Sequence, residues 1–206
     1  MNVAIVGGTG SFGRALAVRL SRAGHGVTIG SRDAERAREL ATVLDVRGVS
    51  NEEAVRGADL VVLAVRSSAA VDAARGLAEA LGETPLLCVA SDLRFTENEV
   101  LPGRDSFSVA EEVAEIVPGP VVSGLQSLSA VELARPGPLD EDALICGDDS
   151  EAKAKALELA ADLVAGRVID AGPLPNSRGL EGMTAVLLNV NRRYRTHAGI
   201  RITGLP

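Results

Sequence analysis

The chain has 206 residues, of which 46% are hydrophobic and only 2% aromatic, and its formal net charge is −7. The length suffices for one well-buried domain, and the scarcity of aromatic side chains leaves Val, Leu, Ile and Ala to fill the core, as is typical of buried parallel strands. The acidic charge weighs against nucleic acid or an anionic membrane surface as the main partner.

The hydropathy pattern predicts neither a leader peptide nor a membrane span. No basic residue precedes the first apolar run, Gly7 and Gly8 interrupt that run, and no apolar stretch reaches the length of a membrane helix. Cys88 and Cys146 lie in apolar runs without a metal-binding or redox spacing, so we expect buried, reduced thiols. These features predict a cytoplasmic protein without a metal site.

Short apolar runs alternate with helical patterns through the first half of the chain. Strands are predicted at 3–6, 26–29, 60–65 and 85–89, and helices at 11–23, 34–44, 51–55 and 68–81. The run LVVLAV at 60–65 is continuous, apolar and β-branched, as in a central parallel strand. Strands and helices that alternate at this rhythm predict right-handed crossovers and therefore an α/β fold with a doubly wound parallel sheet.

The pattern is looser after Ala90, where a polar, irregular stretch begins. The elements predicted beyond it are helices at 108–116, 151–164 and 176–195, strands at 120–123 and 167–172, and a Pro/Gly-rich link at 134–142. Asp148 and Glu151 form a capping-box pattern ahead of the second of these helices, and Asn176 is the expected N-cap of the third.

A glycine-rich turn lies between the first predicted strand and the first predicted helix. Its residues match the pattern G-x-G-x-x-G and are Gly8, Thr9, Gly10, Ser11, Phe12 and Gly13. In this context the first glycine permits the tight turn, the second lets the backbone approach a pyrophosphate, and the third lets the helix pack closely on the strand. The motif predicts a dinucleotide site at the helix N-terminus, and the alternative is a turn that only allows the helix to pack.

The end of the second predicted strand distinguishes NADP from NAD. An NAD enzyme usually carries Asp or Glu there, which binds the ribose hydroxyls. In this chain Gly30 and Ser31 occupy the position, Arg32 follows, and Arg36 lies one helical turn further on. A hydroxyl and two guanidinium groups favour a 2′-phosphate and therefore NADP. The alternative is that both arginines are solvated or paired with neighbouring carboxylates.

Four stretches of the chain resemble the family of NADPH:coenzyme F-420 oxidoreductases, which pass hydride between a nicotinamide and a 5-deazaflavin. The stretches are GGTGSFGRALAVRL, GHGVTIGSRDAERA, CGDDSEAKAKALELA and DAGPLPNSRGLEGMTAVLLNVNRRY. The resemblance implies an NADP-dependent reductase with coenzyme F-420 as co-substrate, usually a homodimer. We expect residues 1–123 to form an NADP-binding Rossmann domain. Residues 124–206 would supply the remaining strands and a small C-terminal lobe that does not fold independently.

The resemblance also implies roles for particular residues. It places the pyrophosphate on Thr9, Gly10, Ser11 and Phe12, the 2′-phosphate on Ser31, Arg32 and Arg36, the rest of the cofactor against Ala64 and Val65, and the nicotinamide near Ala130. All of these positions precede the C-terminal third of the chain, so the predicted cofactor site rests on the first two thirds of the sequence.

Three departures from the family surround the expected acceptor pocket. Arg66 and Ser67 stand where the family has a proline and often a bulky aromatic residue, and ASDLRF replaces a proline-rich segment after the strand at 85–89. Gln126 stands in place of a histidine near the deazaflavin. We expect Gln126 either to act in catalysis, by hydrogen-bonding a carbonyl or ring nitrogen of the acceptor, or to cap a loop.

The resemblance makes hydride transfer between NADPH and coenzyme F-420 our leading hypothesis. Such a transfer between two stacked rings needs little from side chains beyond orientation and a dry pocket, so a missing Ser-His-Asp triad or metal cluster is no objection. Arg66 and Arg94 follow two predicted strands and support an alternative, an NADPH-dependent reductase of another small acceptor such as a carbonyl, imine or flavin. A third hypothesis is a non-catalytic NADP-binding redox sensor. We expect His25, His197 and Arg178 at the surface, because neither histidine has an obvious acidic partner in the sequence.

Overall fold

The computed structural model describes residues 1–104 and 106–205. The strands are β1 (Asn2–Val6), β2 (Gly26–Ser31), β3 (Arg47–Ser50), β4 (Leu60–Leu63), β5 (Leu86–Cys88), β6 (Leu93–Phe95), β7 (Val100–Pro102), β8 (Val121–Gly124), β9 (Ala143–Gly147) and β10 (Val168–Asp170). The helices are α1 (Ser11–Arg22), α2 (Ala34–Leu44), α3 (Asn51–Val55), α4 (Ser67–Leu81), α5 (Val109–Ala114), α6 (Ala130–Leu133), α7 (Ser150–Ala161) and α8 (Ser177–Tyr194). A 3-10 turn at Leu174–Asn176 leads into α8.

Six parallel strands form the larger part of the main sheet, in the order β3-β2-β1-β4-β5-β8. The chain first builds the sheet to one side of β1 and then returns to build the other side from β4. This reversal of strand order creates a crevice at the carboxyl ends of β1 and β4, which is where open α/β sheets bind ligands. The predicted α/β fold with a doubly wound sheet is confirmed.

The sheet departs from the parallel arrangement at one edge. β9 runs antiparallel to β8, and β10 runs parallel to β9, which extends the sheet to eight strands. An antiparallel neighbour begins at the edge of the sheet where the previous strand ends, so no crossover has to return the chain. The sheet therefore continues past residue 123 into the strands expected within residues 124–206, and the absence of independent folding of this second part stays a prediction.

Both faces of the sheet are buried. On one face α1 and α7 pack with Leu16, Leu20 and Leu159, and on the other α4 and α5 pack with Leu77 and Val113. Because helices cover both faces, every residue of β4 is buried, and this explains the continuous apolar run in the sequence.

One predicted helix cap is wrong, and a second is right in position but makes no capping hydrogen bond. The N-cap of α7 is Asp149, whose carboxylate accepts the Ala152 N–H at 2.8 Å, and not Asp148 paired with Glu151. Asn176 is the N-cap residue of α8, as predicted, but its side chain donates to the Ala171 carbonyl at 2.6 Å and accepts no N–H of the first turn. The first turn of α7 is thus capped by the residue one position later than predicted, and α8 continues directly from the preceding 3-10 turn. A further difference is the hairpin of β6 and β7, which lies within the stretch expected to be irregular.

Candidate functional site

The turn after β1 brings backbone N–H groups to the carboxyl edge of the sheet. Gly10 is the N-cap of α1, which has no side-chain cap hydrogen bond and no acidic residue in its first turn. The N–H groups of Ser11, Phe12 and Gly13 therefore have no acceptor within the helix. With no carboxylate to offset the helix dipole, this end of α1 offers several donors and a partial positive charge to an anion.

The three glycines of the motif are constrained to different degrees. A Cβ at Gly8 would lie 2.6 Å from the Ile29 Cβ, and a Cβ at Gly13 would lie 2.7 Å from the Gly7 carbonyl oxygen. A Cβ at Gly10 would meet its nearest neighbour, the same oxygen, only at 3.3 Å. Packing within the chain thus requires Gly8 and Gly13, whereas the Cβ position of Gly10 meets one tight contact and is otherwise open to a ligand.

The end of β2 is joined directly to this turn. The Gly8 N–H donates to the Gly30 carbonyl at 3.1 Å, which sets Gly30 and Ser31 beside the glycine loop. Ser31 is buried, and its hydroxyl accepts the Asp33 N–H at 3.2 Å. The Asp33 carboxylate in turn caps α2 by accepting the Arg36 N–H at 3.1 Å. The Asp33 carboxylate therefore already accepts a backbone N–H group.

Arg32 and Arg36 are exposed, and within residues 1–104 and 106–205 neither guanidinium forms an ion pair or a hydrogen bond. The nearby Glu35 pairs with Arg38 instead. The alternative in which neighbouring carboxylates neutralise Arg32 and Arg36 is not what the structure shows. Two unpaired cations and a hydroxyl thus stand at the end of β2, as a 2′-phosphate site would need.

A cleft of about 230 Å³ opens next to the glycine loop, at the ends of β4, β5 and β8. Four residues predicted for the site line it, namely Phe12 at the start of α1, Ala64 and Val65 after β4, and Gln126 after β8. The other lining residues are Arg66, Ser67, Val89, Ala90, Ser91, Leu125, Leu128 and Thr184. The cleft therefore connects the glycine loop to the acceptor-side residues across the point where the strand order reverses.

The end of β4 brings two of these residues into the cleft. β4 ends at Leu63, so Ala64 and Val65, which the sequence pattern assigned to the strand, leave the sheet. A Cβ at Gly7 would lie 2.6 Å from the Ala64 carbonyl oxygen, and Gly7 has a φ of +84°. This close backbone approach, which favours glycine, places the glycine loop against the segment after β4.

Ala130 and Arg94 lie outside the lining of the cleft. Ala130 begins α6, and Leu128, two residues earlier, lines the cleft instead. Arg94 is exposed on β6, whereas Arg66 is exposed at the cleft itself. The role predicted for Ala130 thus has no support from the residues that line the cleft. Of the two arginines considered for another small acceptor, only Arg66 is at the cleft.

Gln126 is held firmly at the acceptor side of the cleft. Its side-chain Nε2 donates to the Ser123 hydroxyl at 2.7 Å and to the Cys88 carbonyl at 3.3 Å, and the residue is 8% exposed. The preceding residue, Leu125, has a φ of +68°, a backbone conformation that costs free energy for a branched residue. The two alternatives predicted for Gln126 are thus compatible, since its amide closes a loop and the residue also lines the cleft.

Sequence analysis missed two hydroxyl groups that complete this side of the cleft. The Thr184 hydroxyl, on α8, donates to the Gln126 backbone carbonyl at 3.1 Å and lies 3.0 Å from the Ser91 hydroxyl. Ser91 and Thr184 are 93 residues apart in the chain. No local pattern links such distant residues, and only the strand order brings them together.

A network of ion pairs and hydrogen bonds attaches α8 to the rest of the molecule. Arg178 is exposed, as expected, but its guanidinium donates two hydrogen bonds to the Glu111 carboxylate, at 2.7 and 2.5 Å, and stacks over Phe107. That guanidinium lowers the pKa of Glu111. Glu181, one turn further along α8, accepts the Asp92 N–H at 3.3 Å, and burial raises its pKa to about 7. The network fixes the helix that carries Thr184.

The expectation for His25 is wrong. Its Nε2 lies 2.8 Å from the Asp162 carboxylate, and its side chain is only 6% exposed. Asp162 follows α7, 137 residues away in the chain, so the pairing has no local signal. His197 is exposed, as expected.

Both cysteines are buried and unbridged, as predicted, and burial raises the pKa of each thiol to about 12. In the part of the chain that the structure describes, no three His, Cys, Asp or Glu side chains come together as a metal site would require. None of the helices described there has the length and apolar character needed to cross a membrane.

Comparisons with known proteins agree with the geometry. The family model for NADP oxidoreductase, coenzyme F420-dependent, matches residues 2–90. The F420-dependent NADP reductase of Methanothermobacter marburgensis is 35% identical over all of both chains, and that of Methanocaldococcus jannaschii is 33% identical over 100% of this chain and 99% of its own. A crystal structure from Arthrobacter sp. FB24, provisionally described as an F420-dependent NADP reductase, has a TM-score of 0.88 at 27% identity and covers 99% of this chain and 100% of its own. The chain belongs to the family of F420-dependent NADP reductases.

Proposed function

We propose that this protein transfers hydride between NADP(H) and the 5-deazaflavin coenzyme F-420. The observation that carries the proposal is the similarity, over the whole chain, to proteins named F420-dependent NADP reductase at 33–35% identity. The cleft supports it, because one continuous surface runs from the glycine loop to Gln126. Two flat rings that meet in such a cleft need only orientation and exclusion of water to exchange a hydride.

The nucleotide half of NADP(H) binds across the glycine loop and the end of β2. The N–H groups at the start of α1 hold the pyrophosphate, with the open space beside Gly10 allowing close approach. Ser31, Arg32 and Arg36 hold the 2′-phosphate. When bound, the nicotinamide supplies the reactive carbon, and the residues after β4, Ala64 and Val65, support the half of the cofactor nearest to it.

The acceptor ring occupies the part of the cleft between β5, β8 and α8. Its apolar lining, which includes Val89, Leu125 and Leu128, excludes water from the reacting carbons. Gln126 fixes the orientation of the ring, and the exposed guanidinium of Arg66 at the rim attracts the anionic phosphate and glutamate tail of the coenzyme. Positioning is therefore the main contribution of the chain to the reaction.

The homodimer that the family resemblance implies is part of this proposal, and α8 supports it. Four residues of α8 are buried, and Met183 packs against the core beside Leu180. A second apolar stripe, formed by the half-buried Leu187 and Val190 with the more exposed Val186 and Tyr194, is only partly covered. Val186 is 59% exposed and Tyr194 70%. An apolar stripe of this kind is typical of a helix that packs against a partner. A second copy of the chain is the partner we assign.

We place the homodimer in the cytoplasm. This part of the proposal rests on the two cysteines, which are unbridged and which fit a reducing compartment.

The experiment that tests the proposed activity mixes purified protein with NADPH and oxidised coenzyme F-420 and follows the loss of nicotinamide absorbance. We expect consumption of NADPH with coenzyme F-420 and little with NADH or with flavin mononucleotide as the control acceptor. Turnover with the flavin alone would favour a reductase of another small acceptor. Tight NADPH binding without any turnover would favour a redox sensor, and either result would overturn the proposal.

A further inference from the structure

The side-chain oxygen of Gln126 is a buried acceptor without a partner. Its Oε1 has no hydrogen bond within residues 1–104 and 106–205, although Gln126 lines the cleft and is 92% buried. A buried carbonyl oxygen without a donor is unfavourable and uncommon in folded proteins. A ligand that brings a donor to this oxygen would remove the deficit.

The orientation of the amide follows from its two neighbours. The Cys88 carbonyl can only accept, so the group that faces it must be the Nε2 of Gln126. The second hydrogen of that nitrogen goes to the Ser123 hydroxyl. Because both donors are used, Gln126 cannot donate to a carbonyl of the acceptor, which was one of the roles expected from the sequence. It offers a ligand only its oxygen.

The backbone on either side of this oxygen is also fixed. Leu125 adopts a positive φ and is 1% exposed, and the Thr184 hydroxyl holds the Gln126 carbonyl. Strain that the surroundings impose next to an unsatisfied buried group is typical of a position selected for binding. The oxygen is therefore placed in advance for one donor of a ligand.

The strand order indicates which ligand ring lies there. Gln126 follows β8, three strands away from β1 and its glycine loop, which corresponds to roughly 14 Å across the sheet. The nicotinamide is attached through one ribose to the pyrophosphate at that loop, whereas the acceptor ring fills the side of the cleft closed by α8. The pyrimidinedione ring of a deazaflavin carries one imide N–H between two carbonyls, a donor of the kind that Oε1 lacks.

We infer that Gln126 Oε1 accepts a hydrogen bond from the imide N–H of the bound deazaflavin and so selects the acceptor. The inference rests on the proposed function and adds to it the atom that recognises the ring. Gln126 acts here in binding and orientation. No proton or electron moves through it.

The test is a binding cycle between two forms of the protein and two ligands. The proteins are the wild type and Gln126→Met, which keeps the side-chain length and removes both polar atoms. The ligands are a riboflavin-level 5-deazaflavin and the same compound methylated at the imide nitrogen. Equilibrium titration by deazaflavin fluorescence gives four dissociation constants. NADP+ titration and thermal unfolding of each protein are the controls.

We expect methylation to weaken binding to the wild type by about tenfold, as for one hydrogen bond of about 1.4 kcal/mol. For Gln126→Met the two ligands should bind alike, and NADP+ affinity should not change. Equal effects of methylation on both proteins would overturn the inference while leaving the proposed function intact. Weaker NADP+ binding by the variant, with unchanged deazaflavin binding, would overturn it in favour of the nicotinamide carboxamide as the donor.

Failure of the wild type to bind any deazaflavin would overturn both the inference and the proposed function. If Gln126→Met does not fold, the wild-type pair of titrations still decides. A methylated ligand that binds the wild type as tightly as its parent would contradict the inference without any variant.

Discussion

The two ends of the proposed binding site are built in different ways. At the nucleotide end, formed by the glycine loop and the turn after β2, the groups available to a ligand are backbone N–H groups at the start of α1 and the exposed guanidiniums of Arg32 and Arg36. At the ring end the side chains are buried and joined to one another, as in the bonds of Gln126 to Ser123 and Cys88.

The difference corresponds to two tasks. Phosphates are charged and freely hydrated, so unpaired cations and helix N–H groups at the surface suffice to hold them. A hydride crosses only when two rings are held close and aligned, which requires side chains that are fixed before the ligand arrives. Substitutions at the nucleotide end should therefore change affinity, and substitutions at the ring end should change geometry and selectivity.

The largest effect is expected within the glycine loop, where Gly13→Ala and Gly10→Ala form a matched pair. The new methyl at Gly13 would lie 2.7 Å from backbone, so this variant should lose about 1–3 kcal/mol of unfolding free energy and most NADP+ binding. Gly10→Ala makes a tight contact of 3.3 Å with one backbone oxygen but no clash, so it should lose less unfolding free energy than Gly13→Ala, yet it should bind NADP+ at least about tenfold more weakly.

Urea unfolding and NADP+ titration measure the two quantities for this pair. Unchanged NADP+ affinity in Gly10→Ala would show that the space beside Gly10 does not serve the cofactor.

The next largest effect concerns the 2′-phosphate. Arg32→Asp replaces a cation with an anion at the end of β2, so NADPH affinity should fall by about 10–100-fold while NADH affinity stays nearly constant. Arg38→Ala is the control, because Arg38 already pairs with Glu35 and should not affect the ratio. Steady-state KM values for both nucleotides provide the comparison. A variant at Arg32 that keeps the full preference for NADPH would show that this turn does not bind the phosphate.

A smaller effect is expected at the rim of the ring end. Arg66→Ala removes an exposed cation that lines the cleft, so the KM for coenzyme F-420 should rise by roughly three- to fivefold, and more at low salt than at high salt. Arg94→Ala removes an exposed cation that does not line it and should have no such effect. Equal responses of the two variants would mean that position at the cleft is irrelevant.

The smallest effect lies outside both ends, at Glu141. Burial raises the pKa of this carboxyl to about 7, so its protonated form is favoured in the folded chain. Its contribution to stability is therefore complete below about pH 4.5 and is lost as the pH rises through 7. Glu141→Gln should raise the thermal midpoint at pH 8 by roughly 2–4 °C, with little change at pH 4.5 and none in NADP+ affinity.

The neighbouring Asp142 changes the stability of the fold with pH in the opposite direction to Glu141. Backbone N–H groups of Arg167 and Ile202 lower its pKa to about 2, so its contribution is present above the usual carboxyl range and is lost as the pH falls toward 2. In the wild type, the midpoint of thermal unfolding should rise with pH as Asp142 ionises and fall with pH as Glu141 ionises. Burial also raises the pKa of Glu181 to about 7, so part of the loss of stability between pH 4.5 and 7 should remain in Glu141→Gln. A loss as steep as that of the wild type would rule out Glu141 as a source.

The nucleotide end was largely predictable from the sequence, because its determinants are local. The spacing of Gly8, Gly10 and Gly13 and the residues Ser31 and Arg32 after β2 are all read within one turn of the chain, and the alternation of strands and helices places them together. The strand predicted at 60–65 is two residues longer than β4, because an apolar run does not show where pairing with β1 stops.

The ring end was only partly predictable, because its contacts join distant parts of the chain. Gln126 was identified from its position in a family pattern, but its contact with Thr184 depends on α8. Away from the cleft, the pairing of His25 with Asp162 depends in the same way on α7. The reversed direction of β9 also follows from how the chain leaves β8 and not from any pattern in the strand itself. Local periodicity contains no information about such pairings.

Direct transfer between the two rings is the central claim, and an isotope label tests it most directly. NADPH with deuterium at both C4 positions is mixed with the protein and oxidised coenzyme F-420, and the reduced deazaflavin is analysed by mass spectrometry. The account predicts one deuterium on carbon 5 of the reduced ring for each NADPH consumed. A reduced ring that carries hydrogen from the solvent, or no reduced ring at all, would contradict it.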